Sequence, residues 1–279
     1  MQAMDLSKAS GDWGGPVSSS VFDVYDDLLV PLLFQTYADD LAHRLTDLRT
    51  GSILEVAAGT GVLTRAMADS LPDEVTITAT DLVQGMIDRA RRVGTTRAVT
   101  WQQADVMTLP YESESFDVVV CQFGAMFFDP KPDAFEQIRR VLRPGGRFLF
   151  SVWDALEHNE FAAVVNDVVK SHFAEDPPRF LERKPYAYHD REAIIADLRA
   201  AGFDAHPEIE QVEHLSRAGT PDDVAAAFCG GTPLRDEIES RGPDLLAGVT
   251  AVTAAALAHR FGAADLEGRI SAQLVANIR

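Results

Sequence analysis

Ser52-Ile53-Leu54-Glu55-Val56-Ala57-Ala58-Gly59-Thr60-Gly61 is the stretch that decides the fold. A short β-rich run, Ser52 to Val56, meets a glycine turn, and the helix that follows ends at Pro72. In an open α/β sheet, ligands bind at the carboxyl ends of strands, which is where this turn falls. Without side chains, Gly59 and Gly61 let a ligand approach the backbone. A lone Gly-x-Gly can equally be a plain tight turn. A dinucleotide fits poorly: in Gly-x-Gly-x-x-Gly the third position is Thr64 counted from Gly59, and Val62 counted from Ala57. Nor does a Walker lysine follow the glycines, since Arg65 is misplaced for that role.

Outward from this turn, β-rich runs begin near Ser52, Val75, Ala98, Phe116 and Arg147, with room for helices between most of them. Phe116 to Cys121 is nearly continuous in apolar residues, as in a strand buried on both faces. Such alternation predicts a parallel sheet with right-handed crossovers. Polar residues close the successive runs. Asp81, in Thr80-Asp81-Leu82, stands where a carboxylate can accept both hydroxyls of a ribose, or simply cap the next helix. Asp105, in Ala104-Asp105-Val106, can accept from an adenine amino group, or be a surface turn residue. Cys121-Gln122-Phe123-Gly124 ends the fourth run, and Leu142 to Arg147 is a turn feeding the fifth.

On either side the pattern changes. Residues 21–47 read as helix, in two pieces broken at Pro31. After residue 152 come a helix from Phe161 to Phe173, a helix from Asp190 to Gly202, and a strand from about Phe203 to Leu215. Thr220-Pro221-Asp222-Asp223 and Thr232-Pro233 are helix starts, and Gly242-Pro243 ends the second of these helices. An Ala-rich helix then runs to Phe261, and Ile270 to Ile278 forms a last strand. The expected organisation is an N-terminal helical segment over the site (1–47), an α/β core (48–219), a helical insertion that is a lid or a dimer element (220–264), and a final core strand (265–279).

The 279 residues are 46% hydrophobic and 24% charged, as in a folded chain rather than a disordered one. Their net charge of −18 disfavours a nucleic-acid substrate. Two cysteines, Cys121 and Cys229, offer neither a disulfide framework nor a cysteine metal site. Residues 1–20 lack an export signal, and no run is apolar for long enough to span a bilayer, so a cytoplasmic location is expected. No metal-ligand spacing is found.

Taken in order, the strand-end features resemble the class I S-adenosylmethionine-dependent methyltransferases, most closely the small-molecule subgroup that includes ubiquinone/menaquinone-biosynthesis methyltransferases. Residues 50–153 carry the clear resemblance, with weaker similarity at Tyr25, Pro31 and Ala201-Gly202-Phe203. It implies a Rossmann-like α/β sheet of seven strands, order 3-2-1-4-5-7-6, with strand 7 antiparallel. It further implies S-adenosylmethionine as cofactor, S-adenosylhomocysteine as product, and a small-molecule acceptor as partner, with a homodimer as a further expectation. Glu55, Ala57, Ala58, Gly59, Thr60 and Gly61 would wrap the methionyl part, and Asp81 would hold the ribose. Leu82 and Met86 would flank the adenine, whose edge Ala104, Asp105 and Val106 would read. Gln122 and Phe123 would sit beside the reacting methyl. Ala57 departs from the family's usual glycine, so the turn is expected to pass it in an ordinary conformation or to approach the ligand less closely.

The implied chemistry is in-line displacement, in which orientation supplies much of the rate. A base is required only for an acceptor that arrives protonated and weakly acidic. His158, His189, Tyr25 and Asp154 are candidates, against surface or capping roles for the histidines. Tyr25 could instead close over the donor. Phe123, Met126, Phe127 and Trp153 either line an acceptor pocket or pack the core. Two other functions share parts of this evidence: a non-catalytic module that binds the same donor, and a nicotinamide-dependent oxidoreductase.

Overall fold

A computed structural model of the chain describes residues 19–203, 206–242 and 244–279. The polar residues 1–18, Asp204 and Ala205 at the expected strand start, and the helix-stopping Pro243 lie outside the described residues.

β1 (Gly51–Glu55) leads through the glycine turn into α3 (Val62–Ser70), then β2 (Val75–Asp81), α4 (Gln84–Val93) and β3 (Thr100–Gln103). α4 turns Met86, Ile87 and Ala90 inward, ends on Arg91 and Arg92, which suit the negative pole of the helix, and stops at Gly94. β4 (Phe116–Gln122), α5 (Lys131–Val141) and β5 (Leu142–Trp153) complete the parallel part. The Leu142–Gly146 stretch bulges: Phe116 pairs with Leu142 but Val118 with Arg147, and Gly145 takes a φ of +79°.

α6 (Glu160–His172), α7 (Phe180–Arg183) and α8 (Arg191–Ala200) follow, then β6 (Glu208–Ala218), α9 (Pro221–Gly230), α10 (Leu234–Glu239), α11 (Leu245–Phe261) and β7 (Leu266–Ile278). Asp190 caps α8 through Oδ1, which accepts from the Glu192 amide. Thr220 and Asp223 cap α9 reciprocally. β6 begins later than the sequence suggested and reaches Ala218.

The sheet has seven strands in the order β3-β2-β1-β4-β5-β7-β6, and β7 runs antiparallel to both its neighbours. Central β4 alternates between two cores. Val118 and Val120 meet Ile53, Leu63 and Met67 on one face. Val119 and Cys121 meet Phe135, Phe148 and Phe150 on the other. α9 lies against α11 and the N-terminal helix, and α11 also against α6.

That N-terminal helix corrects one expectation, because Pro31 does not break it. α1 (Ser19–Val24) passes into a π-helical stretch, Tyr25–Phe34, and then into α2 (Gln35–His43). Proline removes an amide donor and crowds the preceding turn of an α-helix. The wider π turn accommodates it, with Gln35 N–H donating to Val30 C=O. Nine residues of α-helix would set Tyr25 and Phe34 about 180° apart. Here their rings stack with centroids 5.4 Å apart.

Candidate active site

The turn after β1 is held from behind by β2. Ala58 N–H donates to Thr80 C=O at 2.9 Å, and Gly59 N–H to Asp81 Oδ2 at 2.8 Å. The second oxygen of Asp81 accepts from Val83 N–H at 2.8 Å. Burial pushes the Asp81 carboxyl above its ordinary range, against the pull of these amides. Asp81 therefore has a structural task, fixing the glycine turn against the start of α4.

Two residues beside the turn carry left-handed backbone without being glycine: Ala57 at φ +54° and Phe123 at +52°. Each costs on the order of 1–2 kcal/mol. Of the two expectations for Ala57, an ordinary conformation or a less close approach to the ligand, the torsion excludes the first. Its methyl is accommodated because residue 124 is glycine; a Cβ there would lie 2.5 Å from that of Ala57. The two glycines of the turn also differ. Gly59, at φ +57°, is less crowded, an added Cβ coming into ordinary contact with the Tyr25 hydroxyl at 3.8 Å. Gly61 is required by packing, because a Cβ would meet Trp101 at 2.6 Å.

A narrow cavity opens above the turn, lined by Tyr25, Phe34, Glu55, Ala57, Ala58, Gly59, Thr60, Val62 and Gln122. Its polar groups are under-used. Thr60 Oγ1 and Gln122 Oε1 are buried without a hydrogen-bond partner among the described residues. The Gln122 amide nitrogen donates to Phe34 C=O at 2.8 Å, which orients the orphaned oxygen. Glu55 is buried and accepts from Thr64 Oγ1 at 2.5 Å. Desolvation, opposed by that bond and reinforced by nearby Asp81, pushes its carboxyl up to about 8. Oxygen acceptors gathered round a glycine that lines a cavity suit a ligand bearing an ammonium group. The methionyl end of the expected donor has that chemistry.

The structure thus brings Glu55, Ala57, Ala58, Gly59, Thr60, Gln122 and Tyr25 together at one cavity. Gly61 forms the left-handed cap of α3 behind it. Asp81, Leu82, Met86, Ala104, Asp105, Val106 and Phe123 are not in its lining. Met86 and Phe123 are buried, and Asp105 caps the short turn Val106–Thr108 by accepting from Met107 N–H. Phe34 and Val62 line the cavity but were not predicted; α-helical periodicity hides Phe34, and Val62 reads as an ordinary first helical residue. An ion cluster, also unforeseen, ties the π stretch down. Arg89 bonds Asp23, Asp26 and Asp27 at 2.7, 3.0 and 2.6 Å, and Arg65 reaches Asp26 and the Thr60 carbonyl.

The expected aromatic group is close-packed. Phe123 stacks on Trp153 at 3.9 Å, with Tyr37 edge-on to both and Phe34 tilted against both. Met126 is core, and Phe127 faces Phe180. Of the base candidates, Tyr25 lines the cavity, and burial raises its hydroxyl pKa well above the usual value. His189 is engaged through Nδ1 with Tyr186 C=O. His158 and Asp154 bond each other at 2.9 Å, outside the cavity lining. No metal-holding cluster occurs among the described residues.

Comparison with known proteins agrees with this architecture. Residues 54–150 match the methyltransferase domain family. The chain is similar to the ubiquinone/menaquinone biosynthesis C-methyltransferase UbiE of Dinoroseobacter shibae, at 28% identity over 67% of this chain and 79% of that one. The UbiE protein of Burkholderia mallei is also 28% identical, over 67% and 81% of the two chains. In fold it is similar to phosphoethanolamine N-methyltransferase 2 of Haemonchus contortus in complex with S-adenosyl-L-methionine, with a TM-score of 0.61 at 17% identity, covering 99% of this chain and 60% of that one. The YcgJ protein of Bacillus subtilis gives a TM-score of 0.56 at 18% identity, covering 88% and 98%.

Proposed function

We propose that the chain is a class I S-adenosylmethionine-dependent methyltransferase acting on a small molecule, and that the methionyl end of its donor lies in the cavity beneath Tyr25 and Phe34. The observation that carries this placement is the pair of orphaned oxygens, Thr60 Oγ1 and Gln122 Oε1, beside buried Glu55. An ammonium would satisfy all three, and its charge would favour ionised Glu55. Each Asp81 oxygen keeps a lone pair beyond its backbone bond, which leaves it able to take a ribose hydroxyl. Leu82 and Met86 would then flank the adenine, with Ala104, Asp105 and Val106 along its edge and Phe123 next to the reacting end.

The donor supplies a methyl already activated by its sulfonium. The protein's part is alignment and exclusion of water. Strained Ala57 and Phe123 serve alignment, because backbone fixed in a costly conformation does not wander. Tyr25 and Phe34, clamped by the Arg89 cluster, serve exclusion. We assign the described part of the N-terminal segment, 19–47, to this cover, 48–219 and 265–279 to the core, and 220–264 to acceptor choice, either as a lid or as a dimer element. Contact of α9 with the π stretch supports that assignment. No helix among the described residues is long and apolar enough to cross a membrane.

Calorimetric titration with S-adenosylhomocysteine, repeated in the presence of NAD, tests the reading. Saturable binding that NAD leaves unchanged is expected. Competition by NAD, or no saturation, would contradict it. A panel of phenols, thiols and amines with S-adenosylmethionine then separates an enzyme from a sensor by product formation.

A further inference from the structure

At the end of β5, Asp154 is buried yet accepts four hydrogen bonds. Oδ1 takes the Ala155 amide at 2.8 Å and Gln273 Nε2 at 3.3 Å, and Oδ2 takes Ser271 Oγ at 2.9 Å and His158 Nδ1 at 2.9 Å. Burial alone would raise the Asp154 carboxyl; the bonds from His158, Ala155 and Ser271 hold it below its ordinary value. An ionised carboxylate on Nδ1 places the proton there and leaves the lone pair on Nε2. Three other donors also reach the carboxylate, so its burial does not rest on the imidazole alone. Its side chain is 49% exposed, and Nε2 has no partner among the described residues.

This pair stands one strand over from the cavity. β4 and β5 run parallel with Gln122 opposite Ser151, so both end at the same edge of the sheet. Asp154 directly follows Trp153, whose ring stacks on Phe123, the neighbour of Gln122.

We propose that His158 is the general base of the reaction, that Asp154 is its positioning residue, and that the acceptor is therefore a weakly acidic X–H group such as a phenol, enol or protonated amine. The inference rests on the donor placement above. The acceptor atom X forms a bond to the methyl carbon, the carbon–sulfur bond breaks, and its electron pair stays on sulfur, which becomes a neutral thioether. The proton from X–H passes to His158 Nε2 and leaves later to solvent. Asp154 faces the ring directly. Arg191 stands behind Asp154 through Gln273, Glu157 lies on the same turn, and Glu160 in α6 is occupied by the Arg269 amide and Arg260.

The test is a donor-anchored electrophile: an S-adenosylhomocysteine analogue carrying a bromoacetamide on a short tether from sulfur, with the modified residue located by mass spectrometry. Alkylation of His158 is expected, blocked by excess S-adenosylhomocysteine. His158→Gln should abolish the label while leaving affinity for S-adenosylhomocysteine within about twofold. Asp154→Asn should slow labelling by about tenfold or more; if that variant does not fold, His158→Gln decides alone. Saturable binding of the analogue without a His158 adduct would overturn the proposal and spare the donor site. Failure of both the analogue and S-adenosylhomocysteine to bind would overturn the donor site itself.

Discussion

The turns that leave β1 and β5 both emerge at the carboxyl edge of the sheet, yet they are built in opposite ways. After β1, Ala57 sits in a left-handed conformation, and two buried oxygens at the cavity, Thr60 Oγ1 and Gln122 Oε1, have no partner among the described residues. After β5, Asp154, Asn159 and Ser271 bond one another and the backbone until the buried oxygens are occupied. Unpaired polar groups cost stability in the free chain and favour whatever ligand pairs them. The first turn spends stability on binding; the second is a rigid mount from which one imidazole nitrogen projects. The contrast assigns ligand holding to one turn and acid–base chemistry to the other.

The largest effect that could break this contrast comes from pH. Glu55 is held up to about 8 in the folded chain, whereas an exposed glutamate titrates near 4.5. Between those values the folded state binds a proton that the unfolded state has lost. Stability should therefore fall as pH rises from about 4.5 to 8, by on the order of a few kcal/mol, and level off above. Glu55→Gln should flatten that slope in urea denaturation; a slope unchanged in the variant would show that Glu55 is not the group responsible.

Next is Gly61→Ala, which puts a Cβ 2.6 Å from Trp101 at a φ of +85°. A loss of about 3 kcal/mol in unfolding free energy is expected from overpacking and backbone strain. A loss under about 1 kcal/mol would mean that the turn yields easily and is not a rigid cradle. Asp81→Ala should weaken binding of S-adenosylhomocysteine by about 1.5–3 kcal/mol in calorimetry, through lost charge-assisted bonds and a loosened Gly59. Unchanged affinity in a folded variant would remove Asp81 from the donor site.

The smallest pair sharpens the contrast by sign. Thr60→Val removes an orphaned hydroxyl, so the free chain should hold its stability or gain up to about 1 kcal/mol, while donor affinity drops by a similar amount. Ser271→Ala should do the reverse, costing about 1 kcal/mol of stability and leaving donor affinity alone. Matching signs in the two variants would erase the distinction between the turns.

Much of the first turn was legible because its residues are contiguous and sit at strand ends. Glu55, Ala57 to Thr60 and Gln122 were named through the family resemblance of their strand-end motifs, and they line the same cavity. The torsion at Ala57 could not, because the space for its methyl is created by Gly124, distant in sequence. Gly61 was read as an opening for ligand when its constraint comes from Trp101 on β3. Phe34 was missed because a π-helical stretch violates the α periodicity by which faces are read. The second turn was nearly invisible: Asp154 and His158 stood out as candidates, but their partners Ser271 and Gln273 arrive on antiparallel β7, after the whole helical insertion.

The most direct measurement is a crystal structure with S-adenosylhomocysteine. The account predicts its amino group within hydrogen-bond distance of Gln122 Oε1 or Thr60 Oγ1, and its sulfur facing the Phe123–Trp153 wall. A bound nucleoside whose amino group points to solvent, with both oxygens still unpaired, would contradict it.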